Sequence, residues 1–210
     1  AAVASLSVTT VGCSSIKEES QSEKSDEQTA LQIGMSFDTF VLERWIRDRD
    51  VFVSTASDLG AEVNVQNANG DADEQASQIE YLIDKGMDVL VIVAVDGTSN
   101  ALESAIKRAQ SKGIKVLAYD RIIQNANVDL YASFDNEEVG TLMAESVLSQ
   151  IPEDGKIAAL YGSPADYNVV LVEQGIKKNL DGKNAQLVYE NYADNWKAEY
   201  AYDQMNECID

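Results

Sequence analysis

Histidine is absent from this chain of 210 residues, and basic residues are few, with 16 Lys and Arg against 36 Asp and Glu for a net charge of −20. Without histidine the chain lacks the usual general base and the commonest metal ligand, which argues against hydrolase and metalloenzyme chemistry. A protein this acidic offers no basic face for phosphate contacts, so we expect no nucleic-acid partner. No apolar run reaches the ~18 residues that a membrane-spanning helix needs.

The loops that mark common enzyme families are also missing. The sequence contains no G-x-G-x-x-G after its first apolar segment, no G-x-x-x-x-G-K-[ST] and no G-x-S-x-G. These loops bind dinucleotides, cradle phosphates or carry a catalytic serine. We therefore expect no cofactor, no catalytic residue and no metal site. A nucleotide-binding α/β enzyme stays open only as a weak alternative.

Cysteine is scarce, since only Cys13 and Cys208 occur, far apart and without metal-ligand spacing. Residues 1–12 are small and apolar and carry no charge, like the end of a secretory signal, and Val11-Gly12-Cys13-Ser14-Ser15 follows. This segment resembles a bacterial lipoprotein processing site, although Thr10 stands where such signals usually have leucine. It predicts a lipid on Cys13 and an extracytoplasmic location, anchored to the membrane only through that lipid. The alternative is an ordinary signal peptide that happens to contain a cysteine.

The chain divides into three regions by composition. Residues 17–29 contain no aliphatic or aromatic side chain, so residues 1–30 are interpreted as a signal remnant followed by a disordered acidic tether. From residue 31 apolar strand patterns alternate with amphipathic helix patterns, which predicts α/β architecture with parallel sheets. We assign residues 31–134 to an N-terminal lobe and residues 135–210 to the start of a second lobe. The sequence stops inside a helix pattern, so we expect that second lobe to be incomplete.

The expected elements of the first lobe follow from apolar runs and turn signals. A helix over 39–59 would carry Trp45, Phe52, Ala56 and Leu59 on one stripe. Lys85-Gly86 and Lys112-Gly113 each end a helix, since a lysine complements the helix dipole and a glycine follows the last turn. The expected strands are 31–37, 61–65, 88–95, 115–119 and 128–134.

Polar residues follow several of these strands, and Asp120-Arg121 directly follows the apolar run that ends at Ala118-Tyr119. Open α/β sheets bind ligands at the carboxyl ends of their strands. A carboxylate only accepts hydrogen bonds and a guanidinium only donates them, so the pair suits sugar hydroxyls, which do both. The sequence therefore predicts a sugar site at this edge.

Longer segments resemble the bacterial D-xylose-binding proteins of the periplasmic sugar-binding family. The similarity runs from about Ile33 to Trp196, and four segments carry it: 37–50, 116–121, 133–137 and 162–166. These proteins have two α/β lobes that close on a sugar and deliver it to the membrane permease of an ABC transporter. The resemblance thus implies a receptor for D-xylose or a related pentose, and no enzymatic activity.

The resemblance also assigns roles to single residues. It makes Arg44, Asp120 and Arg121 the sugar ligands of the first lobe, although Arg44 alone would be interpreted as part of a solvated helix face. It places Asp166 and Asn168 on the sugar from the second lobe.

Two tryptophans and the lobe crossing complete these expectations. The same resemblance implies that Trp196 stacks on the pyranose ring, whereas Trp45 lies on an apolar stripe where core packing is the stronger expectation. Asp135 and Asn136 would form the first hinge crossing, although either can equally cap a helix.

Two rival functions share this fold. One is a sugar sensor that signals to a membrane histidine kinase, which the sequence does not distinguish from a transport receptor. The other is the effector domain of a sugar-responsive repressor. The apolar leader and acidic tether argue against the repressor, which would need a basic DNA-binding segment in their place.

Overall fold

The computed structural model describes residues 30–209, in which strands and helices alternate. The elements are β1 (Gln32–Phe37), α1 (Glu43–Asp58), β2 (Glu62–Asn67), α2 (Ala72–Asp84), β3 (Val89–Ile92), α3 (Asn100–Ser111), β4 (Lys115–Tyr119), β5 (Leu130–Ala132), α4 (Asn136–Leu148), β6 (Lys156–Tyr161), α5 (Tyr167–Leu180), β7 (Gln186–Tyr192) and α6 (Ala198–Ile209). A short 3₁₀ turn, Asp194–Trp196, precedes α6. The predicted signal remnant, Cys13 and most of the tether lie outside the described residues.

Two separate sheets organise these elements. The first has five parallel strands in the order β2-β1-β3-β4-β5, and the second pairs β6 with β7, also parallel. We call residues 31–134 the first lobe and residues 135–209 the second lobe. The prediction of an α/β fold with parallel sheets is confirmed.

Helices cover both faces of the first sheet, and the side chains of β3 show how. Leu90 and Ile92 pack into the cluster formed with α2 and α3, whereas Val91 packs into the cluster that contains Trp45 of α1. Successive residues of a strand point to opposite faces, so β3 is buried on both sides and has a continuous apolar sequence.

The boundaries of several elements differ from the predictions. Helix α1 begins at Glu43 rather than near residue 39, and Leu59, predicted on its buried stripe, is 80% exposed. Leu59 follows the last helical residue, and the chain turns at Gly60 in a left-handed conformation (φ +80°), so its side chain leaves the helix face. Strands β3 and β5 are shorter than predicted, since β3 ends at Ile92, opposite Ser36 of β1, and β5 ends at Ala132, opposite Tyr119 of β4.

The second lobe is built around close contact of α4 and α5. A Cβ atom at Gly140 would lie 2.0 Å from the carbonyl oxygen of Val172, and one at Gly175 would lie 2.0 Å from that of Glu137. The two helix backbones therefore touch at positions that only glycine allows. Asp135 caps α4 by accepting a hydrogen bond from Glu138 N (3.0 Å), so the predicted hinge residue is at least a helix cap.

Two features of the described residues concern membrane and metal-binding functions. Within residues 30–209, no helix combines the length and the hydropathy required to cross a bilayer. The same part of the chain contains no cluster of three or more acidic or cysteine side chains arranged to bind a metal ion.

Candidate functional site

A cavity of about 350 Å³ lies between the two lobes. The residues that line it include all seven predicted sugar-binding residues, namely Arg44, Trp45, Asp120 and Arg121 from the first lobe and Asp166, Asn168 and Trp196 from the second. Of the two predicted hinge residues, Asn136 lines the cavity and Asp135 does not. The structure thus brings residues spread over more than 150 positions of the sequence to one place.

The chain makes a tight turn at Asp120, directly after β4. Asp120 has a left-handed backbone conformation (φ +64°), and Arg121 N donates to Tyr119 O at 2.8 Å across the turn. Such a conformation costs free energy for a residue other than glycine, and it persists at binding sites where the surrounding contacts enforce it. Here Ser133 Oγ donates to the Asp120 carbonyl at 2.6 Å. The turn aims Asp120 and Arg121 into the cavity from the end of the same strand.

The Asp120 carboxylate connects the two lobes. Its Oδ2 atom lies 2.8 Å from Arg44 Nη2 on α1, and its Oδ1 atom accepts a hydrogen bond from Asn168 Nδ2 on α5 at 3.1 Å. The same amide nitrogen also donates to the Asp120 carbonyl at 3.1 Å. Arg44 is further held by Asp48 at 3.3 Å. Arg44, which the sequence alone would place on a solvated helix face, is therefore paired at the cleft with the buried carboxylate of Asp120.

Arg121 is buried between carboxylates of both lobes. Its Nη1 atom donates to Asp38 Oδ2 at 2.6 Å and to the Ala94 carbonyl at 3.0 Å. Its Nε atom lies 2.9 Å from Asp166 Oδ2, but no acceptor lies in line with the N–H, so this is a charge contact rather than a formed hydrogen bond. In the sequence Asp38 is one polar residue after the first predicted strand, and no local pattern shows its pairing with Arg121, which is 83 positions away.

Asp166 begins α5 and has a perturbed carboxyl group. It caps the helix by accepting a hydrogen bond from Asn168 N at 3.0 Å. Burial of this side chain raises the pKa of Asp166 above its usual value, and the nearby charge of Arg121 only partly opposes that effect. The group therefore serves two roles at once, as a helix cap and as a wall of the cavity.

The two tryptophans differ in their surroundings. Trp45 packs in the first-lobe core against Phe37, with ring centroids 6.1 Å apart, and the Arg44 guanidinium lies 4.1 Å from its ring centroid. Trp196 instead covers Gly162, where a Cβ atom would come within 2.3 Å of the indole ring. The packing of Trp45 in the core agrees with the prediction from its position on the apolar stripe of α1. The residue also lines the cavity.

Unsatisfied polar atoms are concentrated around this cavity. Among the described residues, five buried side-chain nitrogen or oxygen atoms have no hydrogen-bond partner within the protein, and four belong to residues that line the cavity. These four are Trp45 Nε1, Arg121 Nε, Asn168 Oδ1 and Trp196 Nε1. Arg121 Nε and Trp196 Nε1 both lie near the Asp166 carboxylate, but neither N–H is aligned with it. Buried polar groups normally find partners because leaving one unsatisfied costs free energy. Three donors and one acceptor without aligned partners in the protein are groups that the hydroxyls of a ligand could pair with, since a hydroxyl both donates and accepts.

The remaining wall of the cavity is apolar and could not be identified from sequence. It is formed by Leu42, Phe134, Val139, Met143, Leu160, Val169 and Val172. Apolar residues on amphipathic helices and strands have the same pattern whether they face a core or a cleft. Tyr161 also lines the cavity, and burial together with the charge of Glu190 raises the pKa of its phenol to about 12.

Comparison with known proteins decides the family of this fold and cleft. The family described as "Periplasmic binding protein domain" matches residues 33–210. The chain belongs to this family. Its members are binding domains, in agreement with the expectation of a receptor rather than an enzyme.

Several periplasmic binding proteins are similar along most of the chain. A D-xylose-binding periplasmic protein of Haemophilus influenzae is 46% identical over 183 residues, or 85% of this chain and 54% of that protein. The protein of the same description from Escherichia coli is 43% identical over the same shares. An ABC-transporter solute-binding protein of Clostridium phytofermentans, solved with bound β-D-glucose, superposes with a TM-score of 0.77 at 31% identity, over 85% of this chain and 59% of that one. The chain thus spans little more than half the length of these relatives.

Proposed function

We propose that this chain forms the sugar-binding part of an extracytoplasmic receptor for D-xylose or a related monosaccharide. The observation that carries the proposal is the cleft itself, where charged and amide side chains of both lobes face one cavity and four buried polar atoms have no partner. The two indole rings supply apolar surfaces of the kind that pack on the C–H face of a pyranose. In this proposal Arg44, Asp120 and Arg121 bind the sugar from the first lobe, and Asp166, Asn168 and Trp196 bind it from the second.

Relatives support D-xylose over other sugars. Two proteins described as D-xylose-binding are 46% and 43% identical to the chain, whereas the matched structure with β-D-glucose is 31% identical. Titration calorimetry of the full-length protein with D-xylose, D-ribose, D-glucose and L-arabinose tests this. We expect D-xylose to bind most tightly. Absence of binding by all four sugars would refute the sugar site, and tighter binding of another sugar would refute the specificity.

We further propose that the lobes close on the sugar by bending at the crossing between β5 and α4. Asp135 and Asn136 lie at this crossing, where Asn136 Nδ2 donates to the Phe134 carbonyl at 3.2 Å. A sugar that contacts both lobes binds the closed form more tightly and shifts the population towards it. Small-angle scattering of the full-length protein should show a smaller radius of gyration when saturating D-xylose is added, and an unchanged radius would contradict closure.

The receptor is proposed to be lipidated on Cys13 and to deliver its sugar to the membrane permease of an ABC transporter. Labelling of cells with a tagged fatty acid should mark the wild-type protein and leave Cys13→Ser unlabelled. Deletion of the gene should abolish uptake of labelled D-xylose at low concentration. Normal uptake together with loss of a xylose-dependent transcriptional response would instead support signalling to a membrane histidine kinase.

A further inference from the structure

Two carboxylates flank the Arg121 guanidinium, and only one of them accepts an aligned hydrogen bond from it. Asp38, in the first lobe, accepts an aligned hydrogen bond from Nη1 at 2.6 Å, and Nη1 also reaches the Ala94 carbonyl. Asp166, in the second lobe, lies 2.9 Å from Nε without forming an aligned hydrogen bond. The Arg121 guanidinium is therefore fixed through Nη1 to Asp38 and the Ala94 carbonyl of the first lobe, while the N–H at Nε has no aligned acceptor in the protein.

Asp38 occupies a protected position behind the cavity. Its side chain is 8% exposed, and the residue is not among those that line the cavity. It follows the last residue of β1, and its carbonyl accepts a hydrogen bond from Gly70 N at 2.9 Å. Both the strand and the β2–α2 loop thus fix the backbone that carries this carboxylate.

We propose that Asp38 is a positioning residue for sugar binding. It acts through Arg121, whose guanidinium it holds in the first lobe so that Nε points to a sugar hydroxyl whether the lobes are open or closed. A planar guanidinium held at one nitrogen by a carboxylate and a carbonyl loses most of its rotational freedom before the ligand arrives. This inference rests on the proposed sugar site, and it adds to that site a residue that does not touch the sugar.

A double-mutant cycle distinguishes positioning from a general structural role. By calorimetry on the full-length protein, Asp38→Asn should weaken D-xylose binding about tenfold, because the charge-assisted bond to Arg121 is lost. In an Arg121→Gln background the same substitution should change the affinity by less than about twofold. An equal loss in both backgrounds, or no loss in the first, would overturn the proposal. Glu43→Gln is the matched control, because Glu43 pairs with Arg47 on the exposed side of α1 and should not affect binding.

A second measurement needs no sugar and so separates this inference from the proposed function. In the sugar-free protein, the Nε–H resonance of Arg121 should be resolved by NMR and exchange slowly with water, and Asp38→Asn should speed that exchange at least tenfold. Unchanged exchange would refute positioning by Asp38 even if D-xylose binds. If D-xylose does not bind but Asp38→Asn speeds the exchange as expected, only the assignment of the sugar is refuted.

A conservative variant covers the case in which Asp38→Asn does not fold. Asp38→Glu keeps the buried charge but moves the carboxylate by one methylene, so the ion pair survives with altered geometry. We expect it to fold, to show intermediate exchange at Arg121 Nε and to bind D-xylose at least threefold more weakly than the wild type. Wild-type affinity and wild-type exchange in this variant would overturn the proposal.

Discussion

Two buried polar clusters lie near the carboxyl edge of the first sheet, and they differ in how completely their hydrogen bonds are formed. In the first, the Gln75 cluster, the side-chain amide of Gln75 donates to Ser36 Oγ at 3.2 Å and to the Val93 carbonyl at 2.9 Å, and it accepts from Val95 N at 2.8 Å. The second, the cleft cluster, consists of Asp120, Arg121, Asp166 and Asn168 and keeps two buried side-chain atoms, Arg121 Nε and Asn168 Oδ1, without partners.

The difference shows what each cluster contributes. A buried amide whose donors and acceptor are all satisfied fixes local structure, and Gln75 joins α2 to the ends of β1 and β3 in this way. A buried cluster with unused donors and acceptors is incomplete by itself, and a ligand that supplies the missing partners gains the free energy of forming them. Burial alone therefore does not mark a binding site, whereas burial with unsatisfied atoms from two lobes does.

The largest effect should come from removing the centre of the cleft cluster. Arg121→Ala leaves the buried carboxylates of Asp38 and Asp166 without their shared cation. Losing one partner of a buried ion pair costs about 3–5 kcal/mol of stability. We also expect D-xylose affinity to fall tenfold or more. Urea denaturation and calorimetry measure the two effects, with Arg47→Ala as a surface control. A variant as stable as the wild type would show that Arg121 is not the counter-ion of this cluster.

The Gln75 cluster should respond in stability only. Gln75→Ala removes the partners of Val93 O and Val95 N, and we expect the free energy of unfolding to fall by about 2 kcal/mol or more. The affinity for D-xylose should change by less than about twofold, since Gln75 is not among the residues that line the cavity. Gln78→Ala, one turn further along α2, is the comparison variant. Gln78 is half-buried, and only its amide nitrogen is bonded, to the Asn67 carbonyl at 3.0 Å and to Glu74 at 2.9 Å, so its loss should cost less stability than that of the buried Gln75. If Gln75→Ala weakened sugar binding as much as Arg121→Ala, the distinction between the two clusters would be wrong.

The smallest change in stability should come from Asp166→Asn, and its sign is informative. Burial raises the pKa of Asp166, so the folded chain holds this proton more tightly than the unfolded chain. The stability that this group contributes is therefore complete below the unfolded value of 3.8 and is lost as the pH rises through the folded pKa. An asparagine at this position caps α5 equally well and cannot ionise.

The variant should consequently equal or exceed the wild type in free energy of unfolding at pH 7, and this advantage should shrink as the pH falls towards 3.8. Affinity for D-xylose should nonetheless fall about tenfold, because a charged acceptor is replaced. Urea denaturation at several pH values and calorimetry at pH 7 provide the measurements. A variant clearly less stable than the wild type at pH 7 would contradict the assigned effect of burial.

Much of the fold and part of the site could be predicted from the sequence, for different reasons. The strands and helices follow from local periodicity, and Asp120-Arg121 was identified because a polar pair ends an apolar run. The second-lobe residues Asp166, Asn168 and Trp196 were predicted from the family resemblance, and in the structure they line the same cavity as Asp120 and Arg121. Asp38 was not assigned a role, because its partner Arg121 is far away in sequence and only the sheet brings the two together. The exposure of Leu59 was missed because helix periodicity does not say where the helix stops.

The most direct test of the difference between the two clusters is a crystal structure of the full-length protein with D-xylose. We expect the sugar in the cavity between the lobes, with Arg121 Nε and Asn168 Oδ1 each hydrogen-bonded to a sugar hydroxyl and the bonds of Gln75 unchanged. A sugar bound elsewhere, or bound in the cavity while both atoms remain without partners, would contradict the account.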